Sequence, residues 1–92
     1  MIRSFRHRGL KRMYLRGDRS KVGADLADRV ELALADLDSA RVVSDMDLPG
    51  YRLHPLKGVL KDCWSITISG NWRIIFRLDE GDAYDVDLTD YH

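Results

Sequence analysis

Three short polar runs carry most of the reactive side chains in this 92-residue sequence. His54-Pro55-Leu56-Lys57-Gly58 opens the second half, Asn71-Trp72-Arg73 begins an alternating stretch, and Asp90-Tyr91-His92 fills the last three positions. Together they offer imidazoles, a phenol, an ammonium, a guanidinium and a carboxylate. Imidazole titrates near neutrality and so can both take and give a proton. Fixed cations can hold the charge that builds on a pentavalent phosphorus. Such a set suits phosphoryl chemistry that needs no metal.

Other chemistries find less support. His7, His54, His92 and Cys63 fall at neither a C-x-x-C nor an H-x-x-x-H spacing, so no metal site is expected. Gly58, Gly70 and Gly81 are isolated turn residues rather than a phosphate-cradling loop. No serine sits in a strand–turn–helix elbow. Each reactive residue also has an ordinary reading. Arg77 can pair across a strand with Asp85 or Asp87, His54 can be a plain surface histidine, and a chain end frays by default.

The elements that must position these groups are legible from periodicity. Ile2 to Phe5 reads as a short first strand. Leu10, Met13 and Tyr14 mark a short basic helix over 9–16, which Gly17-Asp18 ends. Val22, Leu26, Val30, Ala33, Leu34 and Leu37 form the apolar stripe of a second helix between Ser20 and Ser39. Residues 40–50 connect, closing on the turn Leu48-Pro49-Gly50. Period two then takes over. Trp64, Ile66 and Ile68 alternate with Ser65 and Thr67, and Gly70-Asn71 makes a hairpin turn. Trp72, Ile74, Phe76 and Leu78 alternate with Arg73, Ile75 and Arg77; Tyr84, Val86 and Leu88 follow after a second turn at Glu80-Gly81-Asp82.

The expected order is β-α-α-β-β-β-β, one α+β domain over 1–92 with a small antiparallel-rich sheet and two helices on one face. The Trp64, Trp72 and Tyr84 sets should pack on those helices. Ser65, Thr67, Arg73 and Arg77 then point to the opposite face.

Composition fits this picture. Apolar residues make up 45% of the chain, enough for one core. No apolar run approaches the ~20 residues of a membrane span, and the charged N-terminus is not a signal peptide. A lone Cys63 fits a reducing cytoplasm. Formal charge is zero but unevenly spread. Residues 1–21 carry eight Lys and Arg against Asp18 alone, and residues 49–78 carry five against Asp62 alone. Either zone can face a polyanion.

The runs Ile2-Arg3-Ser4-Phe5, Gly9-Leu10-Lys11, Leu53-His54-Pro55-Leu56-Lys57-Gly58, Trp64-Ser65-Ile66, Asn71-Trp72-Arg73-Ile74, Gly81-Asp82-Ala83-Tyr84 and Asp90-Tyr91-His92 together resemble the HigB toxin family, a branch of the RelE-like toxins. The resemblance runs from end to end and implies the RelE-like fold of a small sheet carrying helices on one side. It implies the toxin of a toxin–antitoxin pair, which cleaves messenger RNA in the ribosomal A site. It implies a HigA-type helix-turn-helix antitoxin as partner, with DNA contact only through the complex of the two; no cofactor is expected. His54, Lys57, Arg73, Asp90, Tyr91 and His92 match positions tied to activity. Asn71, Arg77 and Lys61 are the expected RNA contacts. Some relatives carry a basic residue just before the Asn-Trp-Arg run, where this chain has Ser69-Gly70. The rival reading is a non-catalytic RNA- or protein-binding module. His92→Gln and Arg73→Ala separate the two, since only an enzyme loses its activity while still binding its partner.

Overall fold

A computed structural model describes residues 1–90; Tyr91 and His92 lie outside the described residues. Helix α1 runs Arg8–Arg16 and α2 runs Ala27–Ser39. The strands are β1 His54–Pro55, β2 Trp64–Ser69, β3 Trp72–Asp79 and β4 Asp82–Asp90. They form one antiparallel sheet in the order β1-β2-β3-β4. The α+β class expected from the sequence is found, with two helices followed by four antiparallel strands.

Helix α1 starts where His7 caps it, its Nδ1 accepting from the Leu10 amide at 3.2 Å. It stops at Gly17, whose left-handed backbone (φ 68°) lets its amide reach the last carbonyls. Gly9 is needed for packing: an added Cβ would stand 2.8 Å from the Lys21 Cβ. Helix α2 begins at Ala27, five residues after Val22, the first residue of the apolar stripe. Residues 20–26 instead form tight turns, in which the Val22 amide bonds Arg19 O and the Leu26 amide bonds Gly23 O. Val22 and Leu26 are still buried, so the stripe marks core contact rather than helix.

Leu10 and Met13 of α1 and Val30, Leu34 and Leu37 of α2 are buried against Ile66, Ile74, Phe76 and Val86 of the sheet. Asp38 ties three segments together. Its Oδ1 accepts from the Tyr14 hydroxyl at 2.6 Å and from the Ile2 amide at 3.0 Å. The Tyr14 hydrogen bond holds the Asp38 carboxyl below its usual range, and the same bond raises the Tyr14 phenol.

Two expectations are corrected. The first strand shrinks to parallel bridges between Ile2 and Ala83 and between Phe5 and Val86, along the outer edge of β4. Tyr84 does not pack on the helices. An extra residue in β4, with Asp85 in the left-handed region (φ 55°), shifts the register against β3. Ala83 and Val86 therefore both reach the core, three positions apart. Tyr84 turns to the other face, where the Arg77 guanidinium lies 4.6 Å from its ring centre.

Candidate active site

Register places the open face of the sheet in two rows. His54, Ser65, Ile75 and Asp87 are cross-strand neighbours in one row; Thr67, Arg73 and Thr89 are neighbours in the next. Strand pleating puts such rows roughly 7 Å apart. Ser65 and Ile75 are buried at the centre of this face, giving it a firm floor.

Over the floor opens a cleft of about 520 Å³. Its base is Ser65 and Thr67 of β2. Arg73 of β3 closes one side. Arg52, His54 and Lys57 of the β1 segment form the other, with Leu56 and Pro55 beneath. His54, Lys57 and Arg52 are exposed and reach solvent. No carboxylate lines the cleft among the described residues, so three cations and one imidazole face the same space. No three His, Cys, Asp or Glu side chains gather at metal-binding range among the described residues.

Local structure explains the precision of each group. The Gly70-Asn71 hairpin turns as expected, with Gly70 at φ 55°. Arg73 Nη1 donates to the Gly70 carbonyl at 2.7 Å and to the Trp72 carbonyl at 3.2 Å, so the hairpin fixes its own guanidinium. The other guanidinium donors stay available to an anion. On the opposite wall β1 is only two residues long. It is buttressed from behind, since the Tyr51 hydroxyl donates to Asp36 Oδ2 of α2 at 2.6 Å. Burial and that carboxylate push the Tyr51 phenol far above its usual range. Tyr51 thus ties the β1 segment to α2.

A family model described as the RelE-like toxin of the type II toxin–antitoxin system HigB matches residues 3–92. The chain is also 44% identical to Endoribonuclease HigB of Proteus vulgaris over 92 residues, covering all of both chains. This chain belongs to the HigB-like toxin family. Membership implies an antitoxin partner, as type II systems are built of two proteins. The fold implied by the resemblance is the one observed, helices on one face and the cleft on the other.

Not every candidate residue of this HigB-like chain meets at the cleft. His54, Lys57 and Arg73 do. Asn71 lies exposed in the hairpin turn beside it. Lys61 and Arg77 gather elsewhere, at a dent of about 380 Å³ bordered by Trp64 and Leu78. Arg77 is four residues from Arg73, roughly 13 Å along the strand. It also pairs with Asp85 at 3.9 Å, the ordinary cross-strand alternative weighed above. Asp90 pairs with Trp72 and, by the pleat, shares the face of Trp72 and Leu88. Tyr91 and His92 lie outside the described residues.

Sequence reasoning missed Arg52. It lies outside the motifs, and a left-handed bend at its own backbone (φ 49°), which no local pattern announces, brings it to the cleft. Burial raises the Cys63 thiol above its usual range.

No described helix is long and apolar enough to cross a membrane.

Proposed function

We propose that this chain is the endoribonuclease toxin of its type II pair, cutting messenger RNA held in the ribosomal A site. The observation that carries this reading is the convergence of His54, Lys57 and Arg73 on one carboxylate-free cleft. The 44% identity to an endoribonuclease supports it independently. Its antitoxin is a HigA-type helix-turn-helix protein, through which the complex reaches DNA.

The reaction is attack by a ribose 2′-hydroxyl on its own 3′-phosphorus. The 2′-oxygen bonds to phosphorus, the bond to the 5′-oxygen of the next nucleotide breaks, and a 2′,3′-cyclic phosphate and a 5′-hydroxyl result. One of His54 and His92 accepts the 2′-proton, and the other returns a proton to the leaving oxygen. Each such role is worth about 10²–10⁴ in rate. Arg73 and Lys57 stabilise the charge on the phosphorane. Tyr91 stacks on a base. Asn71, Lys61 and Arg77 make further backbone contacts beyond the cleft. An open cleft on a neutral protein aligns a flexible strand poorly, so the ribosome supplies the alignment.

The test is cleavage of ribosome-bound messenger RNA, followed by chemical mapping of the new ends. Cyclic phosphate ends paired with 5′-hydroxyls support the reading. Products bearing 5′-phosphates overturn it.

A further inference from the structure

Arg52 is the one cation of the cleft to which no role has been given. It is exposed, and among the described residues no carboxylate or carbonyl holds its side chain. Its backbone sits at φ 49°, in the left-handed region where a side chain is rarely tolerated. Thr67 donates its amide across this bend to the Tyr51 carbonyl at 2.6 Å. The bend is therefore locked onto β2, and it throws Arg52 over the cleft floor.

Thr67 lies between the Arg52 segment on one side and its strand partner Arg73 on the other. Two guanidiniums thus flank one hydroxyl, with their Cα atoms roughly 10 Å apart, two strand spacings. Along the β1 segment, His54 has Arg52 two residues before it and Lys57 three residues after it. A polyanion passing the imidazole meets a cation on either side. Guanidinium in particular matches a phosphate edge with paired donors.

We propose that Arg52 binds the RNA phosphate next to the scissile one, fixing the strand so that the scissile phosphate rests between His54 and Arg73. This rests on the nuclease reading and adds a substrate-binding residue to it. The role is binding rather than stabilisation of the transition state, since Arg73 and Lys57 already serve the reacting phosphorus.

The experiment is a cycle on protein and RNA together. Ribosome-bound messenger RNA carries either a normal phosphate or a neutral methylphosphonate next to the cleavage site. Wild type and Arg52→Gln are compared. Arg52→Gln raises KM about tenfold, the weight of one charge-assisted hydrogen bond, and changes kcat less than about twofold. The methylphosphonate raises the wild-type KM similarly and adds nothing further in Arg52→Gln. Arg52→Lys restores part of the loss. Independent, additive effects, or a fall in kcat at constant KM, overturn the proposal. Should Arg52→Gln not fold, Arg52→Gly relieves the backbone at φ 49° and serves instead. If the wild type fails to cut at all, the nuclease reading fails. The phosphate contact is then read from binding of a 2′-O-methyl trinucleotide. Its log–log salt slope must flatten by about 0.7 in Arg52→Gln, and an unchanged slope removes the contact.

Discussion

Replacing Arg73 by alanine separates catalysis from structure in this cleft. The side chain is half-buried and gives hydrogen bonds at 2.7 Å and 3.2 Å to the hairpin carbonyls of Gly70 and Trp72. Both carbonyls lie near solvent, so water replaces the lost donor and the cost is about 1 kcal/mol. A domain of 92 residues is stable by roughly 5–14 kcal/mol, so Arg73→Ala remains folded. Its melting temperature falls by about 4–8 °C. The loss to the reaction is far larger. Removing one preorganised donor from a developing anion costs about 10²–10³ in kcat, or roughly 3–4 kcal/mol. Arg73→Lys keeps the charge but cannot reproduce the fork that spans hairpin and phosphate, and falls about tenfold short of wild type. The assay is single-turnover cleavage of ribosome-bound messenger RNA at saturating toxin, with thermal unfolding in parallel. A folded Arg73→Ala that keeps more than a fifth of the wild-type rate refutes the reasoning.

Three further outcomes follow from other parts of the molecule. Gly9→Ala drives a methyl to within 2.8 Å of Lys21 Cβ and 3.0 Å of the Lys21 carbonyl; urea unfolding should show a loss of about 1–3 kcal/mol. Asp38 has its folded pKa lowered, so its contribution is present above the unfolded carboxylate range and disappears as pH falls through the folded value. Tyr14, raised in the folded state, loses its contribution as pH climbs past 10. Asp38→Asn should therefore flatten the acid limb of stability against pH and Tyr14→Phe the alkaline limb, both read by denaturation across pH. Arg77→Ala, remote from the cleft and already engaged by Asp85 and Tyr84, should raise KM less than about threefold and leave kcat unchanged.

Much of the fold was legible because local patterns and global packing agree. The Gly70-Asn71 turn, the alternation of β2 and β3 and the turn at Pro49-Gly50 are all local signals, and Gly50 takes the positive φ (87°) that such a turn needs. What escaped is long-range. The N-terminal segment bridges to residues about eighty positions away, so no window could show that it pairs in only two places. Tyr84 looked like the first member of an alternating set. The left-handed Asp85 after it resets the phase, and nothing in that run announces a bulge. Val22 and Leu26 keep helical spacing without helical backbone because burial, not hydrogen bonding, selects them. At the site, His54 and Arg73 were found through their motifs. Arg52 lies outside any motif and enters the cleft only through the Thr67–Tyr51 hydrogen bond across β2.

The account stands or falls on where the RNA lies. A structure of this toxin on a ribosome carrying messenger RNA with a 2′-O-methyl at the cleavage position answers that directly. The account predicts the target phosphate above Thr67, within hydrogen-bond reach of Arg73 and His54, with the next phosphate at Arg52. RNA lying instead along the basic face of α1, with the sheet cleft empty, contradicts it.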